Sequence, residues 1–283
     1  MRLCSIGSKA HCEGAVVYGD RVVTLSELNV QTGINLPTQL SAILTSEFSL
    51  LEKAVTEAAG NTQIGQRSNL VRYCAPYYDP PKILGIGLNY REHAGDLGAQ
   101  QPLTPASFMK PRTTIIGHED SIVIPSESKR VTAEAELGLI IGKRCKHVRE
   151  DDVASVIFGY VPILDMTAED ILQENPRFLT RAKSFDTFLS FGPVIFTQTE
   201  ISNLPQATVS TVLNGQVVKS NQIRNMMFSP HKLVSFFSNM MTFEPGDIIS
   251  TGTPGAVVIK NGDVVECRIG GFPVLSNHVV QGS

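Results

Sequence analysis

Two glutamates one residue apart, Glu134 and Glu136, open the chain's most apolar stretch, Thr132-Ala133-Glu134-Ala135-Glu136-Leu137-Gly138-Leu139-Ile140-Ile141-Gly142. On a strand, the period of two sends both carboxylates to one face and Ala133, Ala135 and Leu137 to the other. Such a pair is tolerated when it is solvated, protonated or bridged by a cation, and taken alone it also fits a solvated strand face. Asp165 follows the run Val156-Ile157-Phe158-Gly159-Tyr160-Val161-Pro162-Ile163-Leu164 and is expected at the rim of the sheet. There it is either a third ligand or the N-cap of a helix starting near Thr167. Three oxygen donors without His or Cys suit Mg²⁺, Mn²⁺ or Ca²⁺ and leave positions for water and substrate.

Three further segments carry reactive types. His93 and Asp96 are three residues apart, a spacing at which a carboxylate on one helical turn orients an imidazole as a general base; the alternative is a surface ion pair. Gly95 and Gly98 make the same segment a candidate lid. Lys183, in Arg181-Ala182-Lys183-Ser184-Phe185-Asp186-Thr187, is placed either to neutralise an oxyanion or as an ordinary surface lysine. Pro245-Gly246-Asp247-Ile248-Ile249-Ser250-Thr251-Gly252-Thr253-Pro254-Gly255 ends a strand in a turn whose amides and hydroxyls can hold a carboxylate.

These groups need a rigid frame, and the composition supplies one. The 283 residues are 42% apolar and 18% charged, the usage of a packed globular protein. A net charge of -3 with no basic stripe argues against a nucleic-acid partner. No secretory h-region and no membrane-length apolar run is present, so a cytoplasmic protein without membrane contact is expected. The five scattered cysteines, with no C-x-x-C pair, read as reduced and mostly buried thiols. After the compact apolar run Ile83-Leu84-Gly85-Ile86-Gly87, strand signals occur at Ser121 to Ile124, Ala133 to Ile141, Ser155 to Leu164, Gly192 to Phe196, Thr208 to Leu213 and Asp247 to Ser250. Asn214-Gly215 marks a hairpin, and Ser229-Pro230 starts a helix carrying Leu233, Phe236, Phe237 and Met240. Before them, a hairpin around Gly19-Asp20 precedes a helix capped by a Ser49 and Glu52 box and closed at Gly60. The stiff Tyr77-Tyr78-Asp79-Pro80-Pro81 connection sets a boundary between a small domain, 1–78, and a second domain, 79–283. The fold class expected is mixed β with few helices (α+β).

From about Lys82 to Val279 the chain resembles the fumarylacetoacetate hydrolase family. The resemblance lies in Gly-Leu-Asn-Tyr-x-x-His, Phe108-x-Lys110-Pro111, Glu134-x-Glu136, Gly159-Tyr160 leading to Asp165, Arg-x-Lys183-Ser-Phe-Asp-Thr, Asn214-Gly215 and Pro-Gly-Asp-Ile-Ile-x-Thr-Gly-Thr-Pro. It implies a coiled mixed β-roll with a small N-terminal β-plus-helix domain, and a homodimer. It also implies Mg²⁺ or Mn²⁺ held by Glu134, Glu136 and Asp165, His93 with Asp96 as the water-activating base, Lys183 as the oxyanion partner, and Thr253, Gly252 and Lys110 as substrate contacts. Two places depart from the family pattern. Asp96 stands where relatives often have Glu, and Glu169 and Leu172 stand where acylpyruvate-cleaving relatives have Arg and Gln. The activity implied is hydrolysis of a carbon-carbon bond in a small 2,4-dioxo acid, of acylpyruvate or fumarylacetoacetate type, through an enolate on the metal. The alternatives are oxaloacetate decarboxylation, isomerisation or hydration of an unsaturated 2-oxo dioic acid, and a non-catalytic binding protein on the same scaffold.

Overall fold

The computed structural model describes residues 1–58, 64–91 and 102–282. Its spine is a long antiparallel pair, Val131–Ile141 against Ile157–Ala168, in which Glu134 faces Asp165 across the ladder. Both strands are buried over nearly their whole length, which is why they read as continuous apolar runs. Ile248–Ser250 and Ala256–Ile259 pair with the first strand of the spine, and Leu189–Phe191 and Val194–Thr197 with the second. Ile83–Gly87 and Ala106–Lys110 extend the sheet beyond Ile248–Ser250. A smaller sheet runs Gln216–Gln222, Thr208–Leu213, Val264–Ile269, Leu275–Gln281, Ser121–Ile124. Most pairings are antiparallel, with parallel ones at Ile248–Ser250 beside Ile83–Gly87, at Leu189–Phe191 beside Ile115–Ile116 and at Leu275–Gln281 beside Ser121–Ile124. The mixed, strand-dominated architecture expected from the sequence is the one observed. Among the described residues no helix is long and apolar enough to cross a membrane.

Local signals act as anticipated at several points. Asn214 and Gly215 take positive φ, 50° and 81°, as a tight hairpin turn requires. Ser229 Oγ accepts from Lys232 N at the start of Pro230–Met240, whose buried residues include Leu233, Val234 and Phe237. The N-terminal strand Arg2–Ser8 pairs with Val194–Thr197, so the first strands continue the large sheet. Leu3, Leu25, Ile43 and Leu51 share one core with Ile83, Ile140, Ile163, Phe191 and Ile248.

Three expectations are corrected. Ser49 caps nothing: helical chain arrives from Leu40–Ala42 through the π-helical turn Ile43–Glu47 into Phe48–Ala58, because Leu40, Ile43 and Leu44 extend the buried stripe upstream. The capping box is instead Thr24 with Glu27, ahead of Leu25–Thr32, and Gly60 lies outside the described residues. Asp165 does not mark a rim, since its strand continues to Ala168 and the next helix begins at Glu169 without a side-chain cap. The pairings Thr132 with Thr167 and Val131 with Ala168 carry the ladder past it. Finally, Cys12 and Cys74 form a disulfide, leaving Cys4, Cys145 and Cys267 as buried thiols. Arg2–Ser8 brings the pair together by setting Gly7 opposite Cys12 and Ser5 opposite Cys74.

Thiol titration in denaturant should therefore count three thiols without reductant and all five with it. Cys12→Ser should lower the unfolding free energy by about 4 kcal/mol on the chain-entropy account. Five thiols in the unreduced protein would remove the bridge.

Candidate metal centre

Cross-strand register and the strand period gather three carboxylates. Glu134 stands opposite Asp165, Glu136 follows two residues along on the same face, and their ligand oxygens all lie within 4.8 Å of one another. Like charges directly opposite on a ladder repel, and burying each without a partner would be severely unfavourable. Two buried lysines oppose this. Lys183, at the end of the helix Leu179–Lys183, donates to Glu134 Oε2 at 2.6 Å and Asp165 Oδ2 at 2.7 Å. Lys110, ending the strand Ala106–Lys110, donates to Asp165 Oδ1 at 2.6 Å and Met166 O at 3.3 Å.

Three carboxylates against two ammonium groups leave one negative charge in a dry place. Burial alone would raise Asp165, yet Lys110 and Lys183 hold it below the ordinary carboxylate range. Burial likewise works against the charge of Lys183, but Asp165, Glu134 and Glu136 hold its ammonium above its usual range. Lys110 is brought down to about 8, chiefly by burial, against the pull of Asp165. Glu136 takes the remaining imbalance: burial, then Asp165 and Glu134, push it up to about 8. Its Oε2 accepts from Ser250 Oγ at 2.5 Å and Gly252 N at 2.7 Å. Glu134 Oε1 and Glu136 Oε1 accept no hydrogen bond among the described residues. An all-oxygen set with lone pairs to spare and one charge uncompensated fits a hard divalent cation such as Mg²⁺ or Mn²⁺.

The walls hold this face in place. Asn89, fully buried, donates through Nδ2 to Thr251 O at 2.7 Å and Phe228 O at 3.0 Å, and accepts from Phe228 N at 2.8 Å. It thereby fixes the turn whose Gly252 amide points at Glu136. Gly252 has φ +94°, and a Cβ there would stand 2.7 Å from Asn89 Cβ, so only glycine fits. Phe108 lies across Gly85, where a Cβ would meet its ring at 2.2 Å, and presents that ring to Lys183 Nζ at 4.7 Å. Tyr90 is fully buried, and its hydroxyl has no partner among the described residues.

Of the residues singled out in the sequence, Glu134, Glu136, Asp165, Lys183, Lys110 and Gly252 converge here. Lys110 touches Asp165, so its ammonium engages a carboxylate of the centre. Thr253 is buried on the adjoining turn, with its hydroxyl bonded to Gly255 O at 3.1 Å. His93 and Asp96 lie outside the described residues. Glu169 accepts from Arg130 Nε at 2.5 Å, and Leu172 packs against the main core. Sequence reasoning missed Ser250 and gave no role to Asn89; the only signal for Asn89 was its place in Gly-Leu-Asn-Tyr.

Residues 82–280 match the family described as fumarylacetoacetate (FAA) hydrolase C-terminal. The mitochondrial oxaloacetate tautomerase Fahd2a of Rattus norvegicus is 35% identical over 218 residues, covering 74% of this chain and 70% of that protein. The crystal structure of maleylpyruvate hydrolase from Sphingobium sp. SYK-6, in complex with manganese(II) and pyruvate, superposes with a TM-score of 0.84 at 27% identity and full coverage of both chains. The 5-carboxymethyl-2-hydroxymuconate delta-isomerase from Mycobacterium smegmatis superposes with a TM-score of 0.78 at 30% identity, again over both whole chains.

Glu136→Gln should weaken Mn²⁺ binding, read by electron paramagnetic resonance, by more than the roughly 10–100-fold typical of losing an outer partner; unchanged affinity would remove Glu136 from the ligand set. Lys110→Met leaves Asp165 short of one cation and should lower stability in urea by about 3–5 kcal/mol.

Proposed function

The chain belongs to the fumarylacetoacetate hydrolase family of metal-dependent enzymes, and on that premise we propose that it enolises a small dicarboxylic 2-oxo acid of the oxaloacetate type, interconverting keto and enol forms. The observation that carries this reading is the face formed by Glu134, Glu136 and Asp165 with two buried lysines. The compounds named for the relatives, oxaloacetate, maleylpyruvate and a hydroxymuconate, are all small acids with more than one carboxylate.

Glu134, Glu136 and Asp165 would hold Mg²⁺ or Mn²⁺, which when bound supplies a Lewis acid for a chelating 2-oxo acid. The chain's own groups do the rest. Enolisation moves a proton off the carbon next to the keto group while the electron pair shifts onto the keto oxygen. Lys183, whose charge is held firmly by its carboxylate neighbours, lies beside the place where that negative charge grows. His93 oriented by Asp96 takes the proton and returns it, in the manner of a general base and acid. Phe108 and the Gly252 turn close the sides, which keeps water from screening these charges.

A second reading is hydrolysis of a carbon-carbon bond in a 2,4-dioxo acid, and its specific support is the maleylpyruvate hydrolase structure with pyruvate. The same groups serve it: His93 activates water and Lys183 faces the oxyanion of the attacked carbonyl.

Proton NMR of oxaloacetate with the purified protein and Mg²⁺ should show keto and enol signals exchanging faster than in buffer, with EDTA abolishing the gain. Appearance of acetate and pyruvate from acetylpyruvate, with no effect on oxaloacetate, would put the hydrolytic reading first. His93→Ala should keep oxalate affinity within about twofold and lower kcat roughly 10²–10⁴-fold; an unaltered kcat would remove His93 from the proton path.

A further inference from the structure

A second polar cavity, of about 440 Å³, is lined by Arg91, Asn221, Arg224, Asn225, Met226 and Met227. Among the described residues no carboxylate lines it and neither guanidinium has a hydrogen-bond or ion-pair partner. Two arginines lining one concavity attract an anion, which each guanidinium can bind in bidentate fashion.

Its position ties it to the metal centre from two sides. Arg91 is two residues beyond Asn89, the residue packed on Gly252, and Met227 N donates to Asn89 O at 2.8 Å. Tyr90 and Met226 form an isolated bridge between the same two segments. On the other side, Asn221 sits on Gln216–Gln222 two residues from Lys219. The Lys219 side chain lies over Gly255, where an added Cβ would come within 2.6 Å of it. Segments that line the cavity therefore adjoin both ends of the Gly252–Gly255 turn through Asn89 and Lys219, and the near end of that turn holds Glu136 through the Gly252 amide.

We infer that Arg91 and Arg224 form a second anion site that receives the distal carboxylate of a dicarboxylic 2-oxo acid whose other end chelates the metal. The inference rests on the proposed function and narrows it, because a monocarboxylic 2-oxo acid would leave both guanidinium groups empty. Asn225 Nδ2 donates to Asn221 Oδ1 at 2.7 Å, and Met226 and Met227 add apolar surface to the lining. Neither arginine touches the three carboxylates, so each is a specificity residue and not a catalytic one.

The test is calorimetric titration of the Mn²⁺-loaded protein with 2-oxoadipate, 2-oxohexanoate and oxalate. The first two have the same carbon chain and differ in the distal carboxylate. Wild-type protein should bind 2-oxoadipate roughly tenfold or more tightly than 2-oxohexanoate, the effect of one charge-assisted hydrogen-bonded contact. The double variant R91Q/R224Q should lose that preference while oxalate affinity stays within about twofold. A wild-type protein without the preference, or a variant that retains it, overturns the second site and leaves the metal centre standing. If oxalate does not bind the wild type at all, the metal-chelating reading fails and this inference falls with it.

Discussion

Glu134 and Asp165 face each other across a buried antiparallel ladder, and the surrounding structure counters their repulsion. The register cannot slip to relieve it, because a shift of one residue would turn Ala133, Ala135 and Leu137 out of the core and the glutamates into it. Positive charge has to come from outside the ladder. Lys183 reaches in from a short helix and Lys110 from the end of an edge strand, so two elements distant in sequence are positioned by one electrostatic need. Glu136 is held separately, by Ser250 and the Gly252 amide, and Asn89 in turn fixes that turn. The residual negative charge is thus built in: it is met by a proton on Glu136 or by a cation shared among the three carboxylates.

The same face explains what the N-terminal residues contribute. Alternation places Ile140 on the side of its strand that bears Glu134 and Glu136, and Ile163 faces Glu136 across the ladder. Ile140 and Ile163 pack with Ile43, Leu51 and Phe191, whereas Ala133, Ala135 and Leu137 belong to the other core. One strand face is therefore apolar and covered at one end and acidic at the other. The first strands and helices bear none of the convergent side chains, yet they bury the apolar end and so oblige the acidic end to remain where it is. Rigid strands carry the three carboxylates, and the turn after one neighbouring strand carries the Gly252 amide that holds Glu136, a division that keeps site geometry tight.

What the sequence revealed followed from local period and local chemistry. Glu134 and Glu136 stood out because spacing of two on an apolar strand has few physical solutions, and Asn214-Gly215 and Ser229-Pro230 because their backbone demands are strict. Asp165 is legible as a carboxylate but not by its place: the apolar run ends before it without ending the strand, because Thr167 continues the ladder and sends its hydroxyl toward Glu134 at 3.5 Å. Ser49 and Glu52 had the capping pattern, but burial of Leu40, Ile43 and Leu44 carried the helix past them. The Cys12 to Cys74 bridge, spanning 62 residues, and the pairing of Lys110 with Asp165 depend on which strands become neighbours, and nothing in local spacing encodes that.

The charge reversal at Glu169 shows how a local departure is absorbed. A glutamate at the start of the helix after the second ligand strand would repel an anionic substrate, but here Arg130, just ahead of the first ligand strand, takes its carboxylate, and Glu169 N bonds Arg130 O at 2.8 Å. Asp170 completes the clamp by accepting from Ser128 Oγ and Lys129 N. Leu172 turns toward the core. That helix thus ties the entry of one ligand strand to the exit of the other and offers no unpaired charge to a substrate.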